Sequence, residues 1–235
     1  MSQISENILA VAGKITAACS QAGRDVSGVQ LIAVSKSFSA DLVRDAFEAG
    51  QLSFGESRIQ EAEPKIAALP ESLLWHFIGR IQRNKVRRLL ESFDVIHAVE
   101  SFKLASFVNK TAKELELYPR IFLQVNIGKE ASKGGFEPGL LRAEMNHLLT
   151  LERLNIVGLM CIPPVGPDAE SARPWFASLR RLRDTLEIEF GVKLPALSMG
   201  MSDDFVVAIE EGATHVRVGS AIFGKRSYRV DGEVG

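Results

Sequence analysis

Cysteine is scarce in the 235 residues: Cys19 and Cys161 stand alone, and no CxxC pair occurs. That argues against a disulfide framework and suits two small buried hydrophobes in a reducing compartment. The four histidines, His76, His97, His147 and His215, show no metal-ligand spacing among themselves or with the cysteines, so no metal site is expected. Long apolar runs are missing as well. Nothing approaches the roughly 20 residues that span a bilayer, and "MSQISENILA" lacks the basic start and cleavage site of a signal peptide. Nor is there an excess of charge of one sign. Lys plus Arg total 28 against 29 Asp plus Glu, so no global field draws nucleic acid or an anionic membrane. The expectation is a cytoplasmic protein with neither kind of partner, in which any anion is held by a local site.

Apolar residues are plentiful at 46%, enough for a substantial core. Ile4, Ile8, Val11, Ile15 and Cys19 fall at steps of three and four, which predicts an amphipathic helix ending near Gly23. Eight short strand candidates follow, starting at Val29, Leu52, Leu73, Phe93, Arg120, Leu154, Leu194 and Thr214. Helix patterns separate them. Ser39 is placed to cap one that Gly50 stops, and Asp203 and Asp204 open another that Gly212 stops. Alternation of this kind implies parallel pairing, and eight units are the number that closes a barrel. An open dinucleotide-binding sheet would need glycine after the first strand, where "LIAVSKSFS" has none. The fold expected is α/β, a single (β/α)8 TIM barrel with an extra N-terminal helix, one domain over residues 1–235, and a monomer. The Pro-rich "IPPVGPDAE" is expected to be a loop after the sixth strand.

Barrel function gathers at the C-terminal ends of the strands, with phosphate sites favouring the loops after strands seven and eight. Those ends carry Lys36, "SMGMSDD" from Ser198, and "RVGSAIFG" from Arg217. Closure sets the last strand beside the first, which makes Lys36 and Arg217 neighbours. Each piece has a plain structural reading: a solvated rim lysine, a helix cap, a tight turn. Together they suggest more. Glycine-plus-hydroxyl turns that open helices suit a phosphate. A lysine flanked by Leu31, Ile32, Ala33 and Val34 is expected to lose part of its proton affinity by desolvation and to attack an aldehyde as a Schiff-base former. A ligand bearing both groups about a ring's width apart is pyridoxal 5′-phosphate (PLP). Arg217 then falls to the pyridine nitrogen, to which a guanidinium donates but which it does not readily protonate, so the cofactor would be held yet weakly activated.

Longer blocks point the same way: "AVSK" at Ala33, "FGESRIQE" at Phe54, "WHFIGRIQRNK" at Trp75, "VNIGKEASKGGF" at Val125, "GLMCIPP" at Gly158, "LSMGMSDDF", and "GATHVRVGSAIFGKR". Through them nearly the whole chain resembles the pyridoxal phosphate homeostasis protein family, relatives of the alanine racemase barrel domain. The resemblance implies PLP linked to Lys36, its phosphate held by Ser198, Met199, Gly200, Gly219 and Ser220, and Arg217 facing the ring nitrogen. It also implies a role as carrier or buffer in vitamin B6 and amino-acid homeostasis, with enzymes that accept PLP as candidate partners and no catalytic residue assigned. The second domain with which alanine racemases supply an opposing tyrosine is expected to be missing. The pattern departs from the family at Ser57 and Arg58, where asparagine usually follows the glutamate, and at Ile81, where leucine is usual.

Two other functions remain open on the residues alone. A weak PLP-dependent amino-acid racemase would exchange the α-proton of alanine with solvent, and a Schiff-base aldolase on a sugar phosphate would be colourless. The basic cluster Arg80, Arg83, Lys85, Arg87 and Arg88 reads as a solvated helix face, because no aromatics interleave it. Lys133 is a candidate cofactor receiver in transfer, weighed against a mobile surface lysine. His76 reads as an interior histidine that could serve as an acid or base, and Phe38, Phe54 and Phe77 as packing residues that could stack on a ring.

Overall fold

Apolar strands of four to six residues alternate with capped helices, and such a chain buries both faces of its sheet only by winding helices around it. The computed structural model describes residues 2–130 and 132–224. Ala131, Lys225, Arg226 and the two ends of the expected 1–235 domain lie outside the described residues. The strands are β1 (Gln30–Val34), β2 (Ser53–Glu56), β3 (Leu74–Phe77), β4 (Val95–Val99), β5 (Arg120–Gln124), β6 (Asn155–Met160), β7 (Ala196–Met201) and β8 (His215–Val218). They pair in parallel in sequence order and close into a barrel. The seam joins β1 to β8, with Gln30 opposite His215, Ile32 opposite Arg217 and Ala33 opposite Val218. Each strand overlaps a run expected from the sequence.

The helices are α1 (Gln3–Gln21), α2 (Ala40–Glu48), α3 (Ile59–Ala68), α4 (Val86–Ser92), α5 (Phe102–Glu114), α6 (Pro138–Leu149), α7 (Arg173–Phe190), α8 (Phe205–Glu210) and α9 (Ser220–Phe223). Local chemistry sets their limits. Ser39 Oγ accepts from Leu42 N–H at the start of α2, and Gly50 follows its end at φ +92°, a conformation that favours glycine. The extra helix α1 buries Ile4, Ile8, Val11, Ile15 and Cys19, side chains worth ~1.5–3 kcal/mol each for the larger ones. It packs on α2, α8 and α9, over the β1–β8 seam. Asn7 Nδ2 donates to Ile222 O at 2.7 Å, and Arg24 Nη2 donates to Ala213 O at 2.8 Å. Sequence-distant ends of the barrel are thus tied together on the side that carries Lys36 and Arg217.

Backbones approach closely at Gly158 on β6, where a Cβ would lie 1.8 Å from Ala196 O on β7. The Pro-rich segment after β6 forms a loop, as expected. No described helix is long and apolar enough to cross a membrane. The basic cluster around α4 is largely exposed, as expected, and three of its five members also meet carboxylates: Arg87 Nη2 meets Glu114 at 2.6 Å, Arg88 meets Glu63, and Arg80 Nε lies 3.7 Å from Glu100.

Candidate functional site

A strand end in a barrel opens towards the axis, and β1, β7 and β8 all end on one cavity of about 440 Å³. Its wall includes Val34 at the end of β1 and Lys36 beyond it, Met201, Ser202 and Asp203 at the end of β7, and Arg217, Gly219 and Ser220 from β8 into α9. Lys36 is half-buried there. Arg217 is only 4% exposed, and burial pushes its guanidinium below the usual arginine range. Its hydrogen bonds go to neutral acceptors: Nη1 donates to Ser198 Oγ at 2.6 Å and Nη2 to Cys161 O at 3.0 Å. Among the described residues no carboxylate lies within ion-pair distance of it. Asp204 acts on it only as a charge at a distance, and a buried cation without an ion-paired partner is costly unless a ligand supplies a further acceptor.

The glycine-and-hydroxyl turns meet opposite it. Gly200 sits at φ +93°, where a Cβ would lie 2.6 Å from Ala208 Cβ, so the chain after β7 turns tightly against α8. Asp204 Oδ1 accepts from Met201 N–H at 2.6 Å and fixes that turn. Ser202 Oγ accepts from Gly219 N–H at 3.1 Å, which couples the β7 turn to the start of α9. The first N–H groups of any helix lack intrahelical partners, and those of α9 begin at this wall.

The cavity brings together four of the seven residues singled out in the sequence: Lys36, Arg217, Gly219 and Ser220. It does not take in Ser198, Met199 or Gly200. Ser198 and Met199 are fully buried, and the Ser198 hydroxyl is turned to Arg217 and to His97 Nδ1, 2.8 Å away. Met201, Ser202 and Asp203 stand at the wall in their place. The "SMGMSDD" segment reaches the cavity wall, but the turn at Gly200 shifts the exposed positions three residues on. Phe38 lines the cavity while stacking on Phe223 at 5.1 Å. Phe54 and Phe77 pack elsewhere, on Trp75 and Phe93. Ser57 and Arg58 line a separate cavity of about 220 Å³ with Arg80 and Lys85. Lys133 Nζ donates to Pro163 O at 2.9 Å and pairs with Glu130 Oε2 at 2.5 Å.

Two polar clusters were not legible in the sequence. Inside the barrel, His76 Nδ1 lies 3.0 Å from His97 Nε2, continuing the chain from Arg217 and Ser198, while His76 Nε2 is buried with no hydrogen-bond partner. Burial, with smaller effects from nearby positive groups, pushes His76 down to about 3 and His215 to about 4, and His97 well below the usual imidazole range. All three are neutral near pH 7. The second cluster lies under Lys36: Glu56, Lys65 and Ser35 are all buried and mutually bonded. Among the described residues no group of three His, Cys, Asp or Glu side chains could hold a metal ion.

Residues 12–227 match the family model of the alanine racemase N-terminal domain. The pyridoxal phosphate homeostasis protein of Pseudomonas aeruginosa is 46% identical over 230 residues, which covers 97% of this chain and 98% of that protein. That of Aquifex aeolicus is 42% identical over 95% of this chain and 98% of its own length. The structure of PipY from Synechococcus elongatus PCC7942 with PLP bound superposes with a TM-score of 0.82 at 40% identity, covering 94% of this chain and all of that one. An alanine racemase from Bartonella henselae, 16% identical with a TM-score of 0.74 over 96% of this chain and 61% of that one, shares the fold.

Proposed function

This chain belongs to the alanine racemase N-terminal domain family, and from that premise we propose that it is a PLP-binding homeostasis protein with Lys36 as the point of covalent attachment. The observation that carries this reading is Arg217: a buried guanidinium whose hydrogen bonds among the described residues go to neutral acceptors, in the wall of the same cavity as a lysine amine. The residues fit the group. Ser202 and Ser220 offer hydroxyl donors for a phosphate, and Gly219, whose N–H is held by Ser202 Oγ, allows the close approach. Ser198 and Gly200 support that grip from behind, the one by holding Arg217 and the other by shaping the β7 turn, with Met199 buried between them.

When bound, the cofactor would supply an aldehyde for which the Lys36 amine is the covalent anchor, with water as the group lost. Arg217 would face the ring nitrogen as a donor and would leave it unprotonated, because a guanidinium does not give up its proton near neutral pH. That favours holding and releasing PLP, in vitamin B6 and amino-acid homeostasis, over activating it for turnover. PLP-accepting enzymes are the partners this role requires.

The test is an absorbance scan of purified protein supplied with PLP, before and after borohydride, followed by mass analysis of the peptide that carries Lys36. The expected result is a visible-edge band that borohydride removes, with a reduced pyridoxyl phosphate adduct on that peptide. A colourless protein that still forms an adduct with a sugar phosphate would turn the assignment to an aldolase.

A further inference from the structure

Four hydrogen bonds converge on Ser35, the residue before Lys36. Ser35 N–H donates to Gly55 O at 3.0 Å, and Ser35 Oγ donates to Glu56 Oε1 at 2.7 Å. Ser35 O accepts from Lys65 Nζ at 2.9 Å and from Phe38 N–H at 3.1 Å. Lys65 and Glu56 are themselves paired at 2.6 Å, with side-chain exposures of 8% and 0%. Just past Lys36, Ser37 sits at φ +69°, a left-handed conformation that costs a non-glycine residue of the order of 1–3 kcal/mol and persists only where the surroundings impose it.

A buried ion pair is a poor source of stability, since desolvation offsets much of the attraction, and an apolar pair of equal volume often does as well. Its geometry, however, is demanding. Here one carboxylate oxygen takes both the Lys65 ammonium and the Ser35 hydroxyl, while the same ammonium takes the Ser35 carbonyl. Side chain and main chain of one residue are locked by the two members of one pair. The strand end cannot rotate about Ser35 without breaking a buried charge-assisted bond.

We propose that the buried Glu56–Lys65 pair is a positioning device for Lys36, clamping Ser35 so that the strand end presents the Lys36 amine to the cavity in one direction. Glu56 and Lys65 are positioning residues, acting through Ser35 and not on the cofactor. The inference rests on the reading that Lys36 is the attachment point. Burial raises the Glu56 carboxyl above its usual range, and Lys65 and Ser35 pull it back, which agrees with a carboxylate that depends on these two partners.

The experiment measures, on folded protein, the rate at which borohydride-trappable adduct forms at Lys36 with PLP. In parallel it measures the affinity for pyridoxine 5′-phosphate, which keeps ring and phosphate but has no aldehyde. Lys65→Met should slow adduct formation about tenfold or more, while analogue affinity stays within about threefold, the gap of roughly 0.7 kcal/mol separating the two readouts. Glu56→Gln keeps the volume and an acceptor for Ser35, and should slow it at least about threefold; it carries the test alone if Lys65→Met does not fold. An adduct rate within about twofold of wild type in a folded variant overturns the proposal, as does an equal fall in both readouts, which would mark general loosening. Wild-type protein without adduct at Lys36 overturns the attachment reading and this proposal with it, an outcome distinct from a wild-type adduct that the variants leave unchanged.

Discussion

Lys36→Ala is expected to leave no borohydride-fixed cofactor on the protein. The reason is positional. The amine at the end of β1 shares one cavity wall with Arg217, Ser202, Gly219 and Ser220, so among the described residues it is the lysine set beside the groups suited to ring and phosphate. Lys133, the other candidate weighed from the sequence, is held by Pro163 O and Glu130 and lines a neighbouring cavity of about 210 Å³. The remaining grip does not involve the amine, so pyridoxine 5′-phosphate should bind the variant within about threefold of wild type. Mass analysis after borohydride and a binding titration check the two halves. An adduct that persists on Lys133, or loss of analogue binding with the fold intact, would place the aldehyde elsewhere.

Acid should unfold this protein earlier than its carboxylates alone would require. His76, His97 and His215 sit inside the barrel, and burial depresses all three, to about 3 for His76 and about 4 for His215. In the unfolded chain each titrates near 6.5. Below that value the unfolded state takes up protons that the folded state refuses, so the stability present above about pH 6.5 is lost as pH falls towards the folded values. Each group contributes a slope of about 1.4 kcal/mol per pH unit, and three approach roughly 4 kcal/mol per unit below pH 6. Glu56 and Asp204 work in the opposite sense, because burial raises both carboxyls and their protonation favours the folded state, but only as pH enters the carboxylate range. The loss should therefore be steepest between about pH 6 and pH 5. Denaturant unfolding at about pH 7, 6 and 5 measures it, against a total stability of roughly 5–15 kcal/mol for a typical domain. An unfolding free energy that changes by less than about 1 kcal/mol over this range would mean that the histidines are not buried as neutral groups.

The order of elements was legible because each rests on local chemistry. Apolar runs bounded by Ser39, Gly50 and Gly212 need no distant partner to be read as strands and helices, and eight alternations leave few topologies besides a closed barrel. Lys36 and Arg217 were legible for the same reason, as strand-end residues whose strands meet at the seam. Ser198 shows where that reasoning stopped. Its motif ends at the cavity wall, but which residue of the turn faces the cavity depends on the left-handed bend at Gly200 against Ala208, a contact between β7 and α8.

The amino-acid sequence by itself thus determined the barrel, the seam and the lysine and arginine on either side of it, since periodicity and caps act over a few residues. Only the tertiary structure decided which hydroxyl faces the cavity, that Ser198 faces Arg217 instead, and that Glu56 and Lys65 converge on Ser35. Those outcomes are set by burial. A buried polar group must find its partner wherever the packing brings one, and nothing in the local pattern of a strand announces which residue that is.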